Sequence, residues 1–377
     1  MNMLDYLDWR GDLSVKAAPL CEVDNLILAM LSFLDLRGIA EGKNIKESIS
    51  LRDATAAYFA IPKSRVHGTG ALIPKELPTL FEKAAASARF GGMRLFRFSE
   101  IIDKESETQF AALSISVGDG STYISFRGTD DTLIGWKEDF NMGFMDEVPA
   151  QRCALEYLCG SARAVRGGLR VGGHSMGGNL AVFSAANAPK KLQSRLLAVY
   201  NNDGPGFGRP LTDTDGYKAI SGRILTILPH FSVVGLLLEH DKKGKVVVST
   251  AEGLLQHDPF SWQVQGREFL PAPGLSSESR KLERTVKAWV ADMEPDERRQ
   301  MVEAIYQVFT AGRAETLTDI VSDKIEFIKS LRKLDPKVRD VIFATGRLFL
   351  RESVRTATED LSAQIQQRKP QKRGGKK

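Results

Sequence analysis

A chain of 377 residues with 42% apolar and 26% charged side chains has the composition of a soluble globular protein, long enough for one large α/β domain and an accessory region. Three cysteines, Cys21, Cys153 and Cys159, in no metal-ligand spacing, argue against a disulfide framework or a thiolate metal site and suit a reducing compartment. The net charge of +5 is local: Arg368 to Lys377 carries six basic and no acidic side chains, leaving a net −1 on residues 1–367, which argues against specific nucleic-acid binding by the body of the chain.

The N-terminal residues Met1 to Trp9 hold Asp5 and Asp8 and no basic run ahead of an apolar core, so no signal peptide is expected. The apolar-rich stretch Leu26 to Leu36 is too short to span a bilayer, and a cytoplasmic location is the expectation. Residues 1–52 read as helical, with Leu26, Ile27, Met30, Leu31 and Leu34 at helix spacing and Asp24 placed as an N-cap. Residues 53–90 break into short helical pieces around Pro62, Pro74 and Pro78. Residues 1–90 together read as a helical N-terminal extension and a candidate cap. Met93 to Ile102, Phe110 to Val117 and Thr122 to Phe126 are three β-prone runs, the last two separated by Gly118-Asp119-Gly120. They predict a meander of antiparallel strands.

After Phe126 helices and strands alternate. Helices are predicted over Leu133 to Met142 and Ala150 to Val165, then a strand at Leu169 to Gly173 and a helix running to Ala188. Further strands are predicted at Leu196 to Asn201, Arg223 to Leu228 and Lys245 to Thr250. The pattern over residues 91–270 is that of an α/β domain, a mostly parallel sheet flanked by helices. Such sheets bind ligands beyond the carboxyl ends of their strands. Pro271-Ala272-Pro273-Gly274 reads as a linker, and residues 276–365 as an all-helical C-terminal region with apolar faces such as Leu282, Val286, Trp289 and Met293. Residues 366–377 are expected to be a disordered basic tail, suited to a weak contact with an anionic surface.

The chemistry centres on Gly173-His174-Ser175-Met176-Gly177. A Gly-x-Ser-x-Gly between a short apolar strand and a helix has the form of a nucleophile elbow, which lifts a serine hydroxyl off the strand end. The N–H groups at the start of the following helix favour negative charge developing at that point. Such a serine needs a base, a carboxylate to orient the base, and N–H donors for the oxyanion. Among the histidines at 67, 174, 230, 240 and 257, His67 precedes the serine and His174 lies inside the elbow with its side chain directed elsewhere, which leaves the last three. His257, in a loop after the last strand, is the best placed to act as base. The acid is open: Asp203 follows the strand next to the elbow, with Glu239 and Asp241 as alternatives. The oxyanion donors are expected from the Met176 N–H and from Thr129, in Phe126-Arg127-Gly128-Thr129, where Gly128 permits close backbone approach.

Phe126-Arg127-Gly128-Thr129, Trp136, Asp139 and Gly173-His174-Ser175-Met176-Gly177-Gly178-Asn179 resemble the core of the class-three lipases, which are α/β-hydrolases. More closely, the chain resembles the Mbeg-like bacterial proteins. That resemblance is carried by Asp5-Tyr6-Leu7-Asp8-Trp9-Arg10-Gly11-Asp12, Asp203-Gly204-Pro205-Gly206-Phe207, Ser232-Val233-Val234-Gly235 and Gln256-His257-Asp258-Pro259-Phe260. It implies a cytoplasmic bacterial protein with a lipase-like core; the resemblance to the lipases implies Ser175 as nucleophile, Thr129 and Met176 as oxyanion donors and His257 as base. Class-three lipases place an aspartate near the position of Ser232, whereas Asp203 resembles the acid of pancreatic-type lipases. The expected function is hydrolysis of a carboxylic ester, of a small molecule or a lipid, through an acyl-enzyme, with no metal or organic cofactor. A second class of function fits the same residues: a hydrolase fold retained as a binding module that works through its helical C-terminus. Sequence does not separate esters from thioesters or amides, and it names no protein partner.

Overall fold

The computed structural model describes residues 1–61, 74–103, 105–129, 135, 137–138, 141–142, 145, 147–207, 209–232, 234–236 and 244–280, with residues 296–297, 299–300, 302–303 and 306 beyond them. The expectations for residues 281–377, which cover nearly all of the C-terminal helical faces and the basic tail, therefore lie almost wholly outside the described residues. So do the middle of the predicted cap, residues 62–73, and half of the helix expected over 133–142.

Among the described residues the central sheet has eight strands in sequential order. They are β1 (Ile49–Ser50), β2 (Arg94–Asp103), β3 (Thr108–Ser116), β4 (Thr122–Phe126), β5 (Leu169–His174), β6 (Leu196–Asn202), β7 (Ile224–Pro229) and β8 (Lys245–Val247). β1 to β4 pair antiparallel, and β4 to β8 pair parallel. The predicted meander thus feeds a parallel half-sheet. A small hairpin, β9 (Val264–Gln265) with β10 (Glu268–Phe269), follows. It had no signature in the sequence beyond Gly266, which takes a positive φ of 63°.

Sequential order has a physical consequence. Right-handed crossovers between strands laid down in one direction place their helices on one face of the sheet. Helix α5 (Pro149–Ala164), between β4 and β5, and helix α6 (Met176–Asn187), between β5 and β6, share one apolar core with Ile124, Phe126, Val171 and Val199. The strands also point Leu113, Ile115, Tyr123 and Tyr200 to the opposite face, as the period of two requires, and that face needs a second cover. The N-terminal helices supply it: α1 (Met3–Arg10), α2 (Glu22–Met30), α3 (Leu51–Ala60) and α4 (Leu77–Ala86) lie in the same core as those side chains. Val23 and Leu26 to Met30 are fully buried, so α2 is apolar almost all round, as a central helix must be. This is the α/β-hydrolase arrangement, a mostly parallel sheet between helical layers.

The structure corrects one expectation here. Asp24 is not the N-cap of α2. Cys21 holds that position, and Asp24 is the third helical residue, its Oδ2 accepting the Cys21 N–H at 2.8 Å. Asp24 is committed to more than the helix end. Arg89 clamps it through Nε to Oδ1 at 2.7 Å and Nη2 to Oδ2 at 2.5 Å, and the Tyr6 hydroxyl donates to Oδ1 at 2.9 Å. Arg89 Nη1 also donates to the carbonyls of Leu13 and Ala18. Both charged side chains are fully buried, and burial pushes the Tyr6 hydroxyl well above its ordinary range. A buried pair is costly to break on one side only, because a lone charge then stays in the core. Arg89→Met is expected to destabilise the fold by about 3–5 kcal/mol in urea unfolding, with Asp24→Leu/Arg89→Met costing less than the single change. A loss below about 1 kcal/mol for the single variant would contradict a closed ion pair.

A second buried carboxylate ties the core together. Glu138 accepts the Gln109 N–H at 2.9 Å and the Ala150 N–H at 2.6 Å, joining β3 to the start of α5. Burial raises its carboxyl to about 7, against the pull of those two donors. Between the unfolded value of 4.5 and about 7 the folded state holds a proton that the unfolded state has lost, so stability falls as pH rises through that window. The advantage of wild type over Glu138→Gln is expected to shrink by on the order of 3 kcal/mol between about pH 5 and pH 8. A difference independent of pH would contradict this.

Among the described residues no helix is long and apolar enough to cross a membrane, and the three cysteines are free.

Candidate active site

The parallel strands end together at one edge, where β5 hands over to α6. Ser175 is the residue of the turn, with φ 58° and ψ −135°, a left-handed backbone that costs a side-chain-bearing residue about 1–3 kcal/mol. The surroundings hold it there. Its N–H donates to the Asn202 carbonyl at 3.0 Å, and Asn202 Nδ2 donates to the Gly173 carbonyl at 2.9 Å. Behind Asn202, Asn25 Nδ2 donates to Asn202 Oδ1 at 2.9 Å, and the Tyr123 hydroxyl donates to Asn25 Oδ1 at 2.7 Å. All three side chains are buried, so α2, β4 and β6 together fix the elbow from below. Gly173 meets a steric demand: a Cβ there would lie 2.3 Å from the Gly177 carbonyl carbon and 2.5 Å from the Phe126 oxygen.

The loop after β4 runs beside the elbow. A Cβ on Gly128 would meet the His174 oxygen at 2.4 Å, Ser175 Cβ at 3.0 Å and the Met176 nitrogen at 3.4 Å. The two segments expected to supply oxyanion donors are therefore in backbone contact, with half-buried Thr129 next in chain. Met176 opens α6 and is buried. Its N–H belongs to the first turn, whose amides have no partner within the helix.

Asp203 follows β6 and is fully buried, again with a positive φ, 52°. Its N–H donates to the Ile227 carbonyl at 2.8 Å. The turn after it abuts the elbow, since a Cβ on Gly204 would lie 2.3 Å from the Ser175 oxygen. Asn179 of α6 pins the same turn by donating to the Gly206 carbonyl at 3.0 Å. The Asp203 carboxylate has two side-chain partners. Oδ2 accepts from His257 Nδ1 at 2.6 Å, across 54 positions of sequence, and Oδ1 accepts from the Ser232 hydroxyl at 2.5 Å. Ser232 thus sits against Asp203, from the position where the class-three lipase resemblance places an aspartate.

His257 closes a 3₁₀ turn, Gly253–His257, and is about 31% exposed, so its ring reaches from the protein to solvent. The turn is braced on both sides, by Trp262 Nε1 donating to the Gln256 carbonyl at 2.8 Å and by the Phe231 N–H donating to Gln256 Oε1 at 2.8 Å. His174 packs beside it: the ring centroids are 4.6 Å apart, and His174 Nε2 donates to the His257 carbonyl at 2.9 Å. Burial, with the neighbouring His257 charge adding to it, holds the His174 imidazole well below the usual histidine range, so it stays neutral. Next along, burial raises the Asp258 carboxyl to about 6 while it caps the following turn through the Phe260 N–H.

The structure brings Asp203 and His257 into direct contact and lays Gly128, Met176 and the Asp203 turn against Ser175. Among the described residues no hydrogen bond joins the Ser175 hydroxyl to the His257 ring. With Nδ1 engaged by Asp203, Nε2 is the ring nitrogen left to meet a hydroxyl. Glu239, Asp241, His240 and His67 lie outside the described residues, as do Trp136 and Asp139. His230 is used elsewhere, donating Nδ1–H to the Gly274 carbonyl. Residues to which the sequence reasoning gave no role are Asn25, Asn202, His174 and Ser232. Asn25 alone carried a signal, as a polar residue bordering the apolar run that opens at Leu26. Among the described residues no group of three or more His, Cys, Asp or Glu is placed to hold a metal ion.

Comparison with known proteins bears on kinship. Among the curated proteins none matches this sequence. Among solved structures the chain is similar to a crystal structure of M37 lipase, at 15% identity and a TM-score of 0.33, covering 45% of this chain and 64% of that one. The chain thus spans a little under two thirds of that lipase's length. A family model described as Mbeg1-like matches residues 84–307, more than half of the chain and all of the segments that carry Thr129, Ser175, Asp203 and His257. The chain belongs to the Mbeg1-like family.

Proposed function

We propose that this chain is a serine hydrolase that cleaves a carboxylic ester, of a small molecule or a lipid, through an acyl-enzyme on Ser175. The observation that carries the reading is the 2.6 Å bond between His257 Nδ1 and buried Asp203, formed beside a serine held in a strained turn. In this reading Ser175 Oγ attacks the ester carbonyl as His257 Nε2 takes its proton. The contact tightens when substrate seats, as catalytic hydrogen bonds commonly do. The Met176 and Thr129 N–H groups stabilise the oxyanion. Collapse of the tetrahedral intermediate expels the alcohol, to which His257 returns the proton. Water activated by the same imidazole then releases the acid. Asp203 fixes the tautomer and stabilises the imidazolium without taking its proton. Residues 91–270 form the catalytic unit in this account, and the cytoplasm is its location.

The test is hydrolysis of p-nitrophenyl esters of short, medium and long acyl chains by the full-length protein. Saturable turnover, with a burst of p-nitrophenol where deacylation is slow, is the expected result. No turnover of any ester, or of matched thioesters and anilides, would overturn the proposal.

A further inference from the structure

We propose that Ser232 is a positioning residue for the reaction, and that the segment leading into the C-terminal region, residues 274–279, holds it in place. The inference rests on the hydrolase reading above. Asp203 presents two oxygens, and the terminal torsion of an aspartate is broad, so an unanchored carboxylate has no fixed aim. The Ser232 hydroxyl bonds Oδ1 at 2.5 Å, which leaves Oδ2 directed at His257. The nook is closed: a Cβ on Gly235 would lie 2.4 Å from Asp203 Oδ1 and 2.7 Å from Ser232 Oγ. Ser232 is 1% exposed and Asp203 is fully buried, so solvent does not replace the bond.

The loop that carries Ser232 follows β7, and its first residue ties back to β8 through the His230 N–H donating to the Val247 carbonyl at 2.9 Å. It is clasped from downstream. His230 Nδ1 donates to the Gly274 carbonyl at 2.5 Å, the Ser276 N–H donates to the His230 carbonyl at 2.8 Å, and the fully buried Ser279 hydroxyl donates to the Ser232 carbonyl at 2.5 Å. On its other side the Phe231 N–H holds Gln256, the neighbour of His257. One short loop therefore touches the acid, the base-bearing turn and the entry to the C-terminal region.

The experiment follows the rate of Ser175 labelling by a fluorophosphonate, and kcat and KM on the best p-nitrophenyl ester, in wild type, Ser232→Ala, Ser232→Thr and Ser279→Ala. Ser232→Ala is expected to lower kcat and the labelling rate about tenfold, with KM within about twofold and little change in thermal midpoint. Ser232→Thr, which keeps the hydroxyl, is expected to recover most of the loss. Ser279→Ala, one bond further out, is expected to lower kcat about threefold and carries the test if Ser232→Ala does not fold. Wild-type rates in the alanine variants would overturn the proposal and leave the hydrolase reading standing. Equal losses in Ser232→Ala and Ser232→Thr that track a falling thermal midpoint would also overturn it, assigning the serine to packing alone. Absence of labelling in wild type would overturn both.

Discussion

Ser175→Ala is expected to lower kcat by about six orders of magnitude, to the residual rate that binding and oxyanion donors alone provide. In the proposed reaction the hydroxyl supplies the attacking atom, so its loss removes the acyl-enzyme route and not merely a contact. The backbone that presents it should survive. The N–H bond to Asn202, the Asn202–Asn25–Tyr123 network and the close contact of Gly128 do not involve the Ser175 side chain. Burst kinetics and circular dichroism on the purified variant check both halves: no burst, and an unchanged spectrum. Turnover within about a hundredfold of wild type would place the chemistry on another residue.

Asp203→Asn should be milder but still severe, with kcat falling about four orders of magnitude while the fold is kept. The carboxylate accepts from His257 on one oxygen and from Ser232 on the other. An asparagine amide has a single oxygen. If that oxygen meets Ser232, the NH₂ faces His257 Nδ1, which must then accept, and the ring takes the tautomer that carries its proton on Nε2. A base protonated on the nitrogen that should receive the serine proton cannot act. If the amide flips, the Ser232 hydroxyl faces a donor instead. A pre-steady-state burst assay is the check, with a slow acylation step expected. A loss of tenfold or less would move the acid role away from Asp203, and Glu239 and Asp241 would then be the residues to replace.

How much of this was legible in the sequence differs element by element. The strand, turn and helix at 169–187 were readable because apolar Leu169 and Val171, the clustered glycines and the small-residue helix each agree with the same local structure. β2 to β4 were readable for the same reason, their turn being marked by Gly118-Asp119-Gly120. The N-terminal helices were readable as helices, but their place was not. That they form the second cover of the sheet follows from the sequential strand order, a property of pairing across the whole chain that no local pattern records. Asp24 shows the same limit. An aspartate near a helix start reads as a cap, yet its partner Arg89 is 65 positions away, and burial of the pair decides its role.

The site divides in the same way. Ser175 stood out by motif and His257 by its loop position after the last strand, whereas the sequence left three candidates for the acid. The bond from Asp203 to His257 spans 54 positions, and Ser232 reaches Asp203 across 29. Neither separation has a periodicity to reveal it. His174 was set aside as pointing away from the serine. Its ring lies against His257, where a neutral, buried imidazole adds no repelling charge to its neighbour.

The most direct test of the central claim is intact-mass spectrometry of the full-length protein after treatment with a fluorophosphonate, followed by peptide mapping. The account predicts a single adduct, located on Ser175, that forms slowly in His257→Ala and not at all in Ser175→Ala. A protein that stays unmodified under conditions in which it is folded, or an adduct mapped to a different residue, would contradict it.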